Sequence, residues 1–469
     1  MKRLIVPKFE FEVLFHKTII KTMKTIRNNL LKIFFFTSLS IMVFAYGMIV
    51  DHYKIFPYHQ MYGIIHPARA ALLDWIDSYR QYLRIRPDKR IFPAREDGNR
   101  VTINQTDKTY DGLTLIVSMW NHKNGIQLID MDGSLIHEWK VSFNAIFPKS
   151  HYFFHQRNVE LFFTSESVHD WDVEIHGAHL YFNGDIVFNF DFGGLVKIDN
   201  NSKVIWRLPY QTHHSIHEDE SGNLWVCGYK RLTQAVDRLP LLVPPIEEEF
   251  ILKISPDGEI LKEISILDVF YNSNQEALLF ANGKKAVSNS GDITHMNDIE
   301  ILDHNFSDQF PLFDTGDIMV SIRNLNLIVV IDSSDERIKW SMTGPFIRQH
   351  DPDFLENGII SVFDNRRGFG NSQIQIIDPA TREVSTLYKG NNYNLFYTEV
   401  GGKHQRLPNG NILISEFTAG RVFEVTSAGE IVWSYTNRYD ENEVYSITEG
   451  TRYPNNYGNF INDISTFRH

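Results

Sequence analysis

EVTSAGEIVWSY (424–435) reads as two short apolar strands joined by a polar turn that holds a glycine. Alternating apolar runs around such a turn are the mark of a β-hairpin. The same pattern, apolar–Asp–x–x–Gly–x–apolar–x–Trp with substitutions, returns as LIDMDGSLIHEW (128–139), KIDNNSKVIWRL (197–208), KISPDGEILKEI (253–264), VIDSSDERIKWS (330–341) and IIDPATREVSTL (376–387). A second hairpin precedes several copies, as in HGAHLYFNGDIVFNF (176–190), HSIHEDESGNLWVCG (214–228), HDPDFLENGIISVFD (350–364) and QRLPNGNILISEF (405–417). A pair of hairpins repeated six times predicts an all-β fold, a six-bladed β-propeller with one four-stranded sheet per repeat. A β-sandwich does not repeat one hairpin six times, and solenoid repeats are shorter.

The start of the chain is different in kind. Residues 33–50, IFFFTSLSIMVFAYGMIV, carry no charge and suffice as a helix to cross a bilayer core. Residues 1–32 form a basic N-terminus in which eight Lys and Arg stand against Glu10 and Glu12. The positive-inside rule therefore puts this segment in the cytoplasm and the propeller on the periplasmic or extracytoplasmic side of the inner membrane. A cleaved signal peptide fits less well, because the basic region is long and no small-x-small site follows. Residues 51–100 read as a linker with one amphipathic helix, roughly 70–83, and residues 101–469 as the propeller.

Composition removes several function classes. Net charge is −12, and no long basic block follows residue 50, which speaks against nucleic acid as a partner. Cys227 is the single cysteine, in the apolar run LWVC, so it reads as a buried thiol and neither a disulfide nor a cysteine zinc cage can form. No phosphate-binding glycine loop and no serine nucleophile elbow occur.

Histidines supply the candidate site. His176, His214 and His350 each lie eight residues before a turn glycine, Gly184, Gly222 and Gly358. His295 opens HMNDIEIL, which reads as the same inner strand with its turn displaced towards Gly316. First strands line a propeller's axis, and a shared register gives a shared direction, so these imidazoles are expected at one mouth of the channel. His213 and His217 compete for the same role, since a one-residue bulge swaps faces. Arg323, at the end of DIMVSIRN (317–324), joins the set.

Four segments resemble the bacterial arylsulfate sulfotransferase family. They are HHSIHEDESGNLWV (213–226), HMNDIEIL with SIRNLNLIVVID (295–302, 321–332), KWSMTGPFIRQHDPDFLENGIISVFDN (339–365) and HQRLPNGNILISEFTAGRVFEVTSAGEIVWSY (404–435). RYPNNY (452–457) fits the family's C-terminal style. The resemblance implies a six-bladed propeller that moves a sulfuryl group from an aryl sulfate to a phenolic acceptor, with no nucleotide cofactor. It implies that His350 is the nucleophile and becomes a sulfohistidine, and that His214, His295 and Arg323 hold the sulfuryl oxygens. His176, His213 and Asn297 are then candidates for binding substrate. A nucleophilic imidazole must be neutral, and its pKa is expected within a unit or two of the usual 6.5, lowered by Arg323. Two other readings stay open: an axial metal held by the histidines, which the neighbouring arginine disfavours, and a membrane-tethered scaffold without catalysis.

Overall fold

The six hairpin pairs form six antiparallel sheets around one axis. A computed structural model describes residues 8–53, 56, 86–148, 169–240, 242, 244, 246–280, 291–391 and 394–461. Blade two starts with Ile175–Leu180, blade three with Thr212–Glu218, blade four with Met296–Ile301, blade five with His350–Leu355 and blade six with Lys403–Arg406. Three further strands follow outward in each. Blade one is composite. Its strands Leu113–Trp120, Lys123–Ile129 and Leu135–Lys140 receive their inner strand from the other end of the sequence, Glu449–Tyr453. Neighbouring inner strands touch all the way round, so the ring is closed.

The repeated motif is the outer hairpin of every blade, and the tryptophan that four of the six copies carry has a specific task. Trp139 Nε1 donates to the Gly184 carbonyl of the next blade at 3.0 Å, Trp206 to Pro256 at 2.9 Å, Trp340 to Pro379 at 3.0 Å and Trp433 to Met131 at 2.8 Å. Each indole thus fills an inter-blade gap and satisfies its one donor on the neighbour's turn. Six apolar clusters, one per gap, complete the core. Cys227 lies in the cluster between blades three and four, fully buried as expected.

Ahead of the propeller, Lys8–Tyr53 is one helix of 46 residues. Its stretch Asn29–Val50, 22 residues of mean hydropathy 2.1, is long and apolar enough to cross a membrane, and it contains the expected span 33–50. The helix expected over 70–83 lies outside the described residues. Within the segment read as linker, Ile91–Pro93 pairs with Glu443–Tyr445. Arg100–Asn104, at its end, adds a fifth, outermost strand to blade six.

Candidate active site

Inner strands of blades two to five begin with a bulge, and the bulges set the site. A bulge turns the backbone locally and re-aims a side chain. His214, His295 and Asp351 take left-handed backbone conformations there, with φ of 57°, 47° and 52°. Gly177 does so at 96°, where a Cβ would collide with the His214 carbonyl.

The four histidines meet. Ring centroids are 4.3 Å apart for His176 and His214, 5.2 Å for His214 and His295, and 6.3 Å for His214 and His350. The shared register is looser than the spacing to the turn glycines suggests. Counted back from the last ladder pair before each inner turn, His176 and His214 stand four residues in, His350 five and His295 six. The inner turn of blade five is shorter than those of blades two and three, which hid the offset, and the bulges bring the rings together despite it.

Of the two adjacent histidines, His214 faces the cluster. His213 packs behind it, stacked on Phe192 at 4.8 Å, with its Nδ1 2.8 Å from His214 Nδ1. His217 lies further along the strand and pairs with Glu300 at 3.1 Å. Asn297 donates to the Gln349 carbonyl at 2.8 Å, and its buried Oδ1 has no partner among the described residues. A narrow cavity is lined by His176, His214, Ser215, Asn297, His350, Asp351, Gly402, Lys403 and Thr448. Arg323 sits in the short turn after Ile318–Ile322, its backbone N–H on the His295 carbonyl at 3.1 Å. Its buried Nε has no partner among the described residues.

Two orienting residues escaped the sequence reading. Asn365 Nδ2 donates to the carbonyls of Thr398 and Gly401 at 3.1 and 2.6 Å, which leaves Oδ1 as the acceptor 2.6 Å from His350 Nδ1. The hydrogen-bond network therefore assigns the His350 proton to Nδ1 and the free lone pair to Nε2. Asn365 closes the Phe-Asp-Asn turn of the family motif, so its signal was present without a role attached. Asp292 Oδ2 is 2.5 Å from His295 Nδ1 and orients that ring in the same way. It stands three residues before His295 in an irregular segment, where no periodicity marks it.

Burial dominates the electrostatics. It lowers His350 to about 3, helped by Arg323 and opposed by the Asn365 hydrogen bond. That is further than the unit or two expected, because an imidazolium in this dry cluster loses its hydration as well as facing a guanidinium. Burial and the other rings also push His214 well below its usual value, and burial takes His213 to about 3. His295 is lowered by burial and Arg323, against the pull of Asp292. Burial lowers Arg323 itself to about 10, still charged at neutral pH. The result is that these four imidazoles are neutral beside the Arg323 cation, with Lys403, held charged by Glu449, on the cavity wall. Perturbed groups gathered in a cavity are typical of functional sites.

His176, Asp191 and His214 also bring three ligand atoms within 4.8 Å of one another, a spacing that could hold a metal ion. Arg323 acts on His295 and His350 in the same cluster, and its charge opposes a cation there.

Among solved structures, the chain is similar to a protein of unknown function from Bacteroides caccae, at 13% identity and TM-score 0.44, covering 71% of this chain and 99% of that one. It is also similar to a streptogramin B lyase, at 14% identity and TM-score 0.38, covering 75% and 89%. Virginiamycin B lyase from Staphylococcus aureus matches at 12% identity and TM-score 0.34, covering 60% and 85%. No curated protein matches the chain. Residues 172–438, which hold every histidine, asparagine and arginine of the cluster, match the Arylsulfotransferase (ASST) family, and the chain belongs to that family.

Proposed function

We propose that this protein transfers a sulfuryl group between phenols through a sulfohistidine on His350. The observation that carries the reading is the Asn365–His350 hydrogen bond, which leaves a neutral Nε2 lone pair at the cavity, while Ser215, which also lines it, has its Oγ accepting from the Ile299 backbone N–H at 3.2 Å. Nε2 attacks the sulfur of an aryl sulfate, the S–O(aryl) bond breaks, and the phenolate leaves with the electron pair. Charge on the three equatorial oxygens is met by Arg323, whose buried Nε has no partner among the described residues, and by N–H donors of the imidazole cluster. As in phosphoryl transfer, positioning and charge stabilisation do most of the work.

In the second half-reaction the acceptor phenol donates to His295 Nε2, whose Nδ1–H is held by Asp292. The phenol oxygen attacks sulfur, the S–Nε2 bond breaks, and the pair returns to His350. The imidazolium on His295 passes its proton to the next departing phenolate. Asn297 Oδ1, without a partner among the described residues, is an acceptor for a phenolic O–H. The helix Lys8–Tyr53 anchors the enzyme in the inner membrane, with the propeller on the periplasmic side.

Mixing the full chain with a chromogenic aryl sulfate alone should release one phenol per site and leave an acid-labile sulfuryl mass on the peptide containing His350. A label on another residue, or steady turnover without one, removes this reading. The metal reading rests on the His176–Asp191–His214 spacing. Stoichiometric divalent metal by elemental analysis, with activity lost on chelation, would put it first.

A further inference from the structure

The mouth beside the histidines carries more positive charge than one sulfuryl group needs. Arg348 stands two residues before His350, and its Nη1 donates to Asn324 Oδ1, next to Arg323. Arg366 N donates to the Ile347 carbonyl at 3.1 Å, which holds the loop Arg366-Arg367-Gly368-Phe369-Gly370 against the same segment. That loop leaves directly from Asn365, the partner of His350. Three arginines, 323, 348 and 367, thus come from three segments tied together around the nucleophile. Their mutual repulsion is felt: after burial, Arg348 and Arg367 help to lower Arg323.

Asp292 and Glu249 act on Arg323, and each already has another partner, Glu249 accepting from the Met296 backbone N–H. Asp292 is bound to His295, and Asp364 accepts from the backbone N–H of Ile347 and from the Gln373 amide. No ion pair joins Arg323, Arg348 or Arg367 to a carboxylate among the described residues, in a chain whose net charge is −12. In the same loop Phe369 is 59% exposed. Gly368 and Gly370 flank it at φ +90° and +74° with open space around them, and the Arg366 guanidinium lies 5.3 Å from its ring. An exposed aromatic on a glycine-flanked loop beside unpaired guanidinium groups presents a flat face and a fork of donors together.

We propose that the sulfuryl donor is an aryl sulfate bearing a second anionic group, which Arg348 and Arg367 bind while Phe369 lies against the aryl ring. This rests on the sulfuryl-transfer reading for the position of the first anion, at Arg323. Arginine suits the second anion because its planar fork matches carboxylate, sulfate and phosphate oxygens alike.

Binding can be read without turnover by using aryl sulfonates, whose C–S bond does not transfer. Titration calorimetry on the full chain in neutral detergent would compare benzene-1,4-disulfonate with benzenesulfonate. At low salt the disulfonate should bind about tenfold tighter, the size expected of two exposed charge pairs, and the ratio should shrink as salt rises. Arg367→Gln should bring the ratio towards one, and Arg367→Lys should keep most of it. No preference for the disulfonate, including no binding of either probe, overturns the proposal, as does a preference that Arg367→Gln leaves intact. Failure of the chromogenic donor to label His350 would instead overturn sulfuryl transfer and leave the binding ratio standing.

Discussion

Two ends of the axial channel are built from the same six strands and have opposite electrostatic logic. Where the inner strands begin, His176, His214, His295 and His350 crowd together, burial lowers the last three, and Arg323 Nε and Asn297 Oδ1 have no partner among the described residues. A few residues further along, imidazoles have found carboxylates. His179 pairs with Glu218 at 2.9 Å and His217 with Glu300 at 3.1 Å. On the wall of the histidine cavity itself, Asp351 meets His404 at 2.9 Å and Lys403 meets Glu449 at 3.0 Å. A polar group left buried without a partner costs stability, so natural folds tolerate it mainly where a ligand supplies what is missing. Paired charges hold the blades together, and unpaired ones await a substrate.

Four substitutions can break or sharpen that contrast. The largest effect is expected at the unpaired end, where His350→Ala should abolish transfer and covalent labelling together while circular dichroism stays native. Arg323→Ala should come next, with the fold kept and kcat/KM lowered by roughly 10²–10³, the loss seen when one oxyanion donor is removed. Third, Asn365→Asp should move the acid limb of the pH–rate profile upwards. A carboxylate beside Nδ1 favours imidazolium and raises the His350 pKa from about 3, so the neutral nucleophile is lost at a higher pH. A profile unmoved by this change, with rate simply lower, would leave Asn365 a packing role.

The smallest effect belongs to the paired end. His217 is raised because Glu300 outweighs the burial that would lower it. A folded-state pKa above the unfolded one means the contribution is full below about pH 6.5 and fades as pH rises through the folded value. His217→Gln should therefore cost about 1 kcal/mol at pH 5.5 and less at pH 8.5, read as the change in Tm, with transfer within about twofold of the parent. A loss of transfer at constant Tm would place His217 among the reacting groups.

The fold was written in the sequence at the level of hairpins, because one outer hairpin recurs in every blade and carries an inter-blade tryptophan in four of the six. His176, His214, His295 and His350 were legible for the same reason: repeats give equivalent places. Their relative heights were not, since turn length and bulges are set by a few left-handed residues that leave no periodic trace. Asp292 and Asn365 were missed on different grounds. Asp292 reaches His295 from an irregular segment, and Asn365 reaches His350 across a ladder pair, His350 opposite Phe363, whose register is known only once the blade is built. Loop 366–370 was passed over because charge and glycine on a turn look alike whether or not they face a catalytic mouth.

Closure of blade one sets an order on the making of this protein. The histidines belong to blades two to five, yet the ring that presses them together waits for Glu449–Tyr453, where Arg452 locks to Glu424 and Thr114 at full burial. Until those residues leave the ribosome, Leu113–Trp120, apolar and buried along nearly its whole length in the finished fold, is a naked sheet edge. Such an edge pairs with whatever strand it meets, including one from another copy. A nonsense codon a few residues short of 449 would thus yield a chain that carries all four histidines and is cleared as aggregate or by proteases. Selection on the last strand is selection on solubility, even though it holds none of the four histidines.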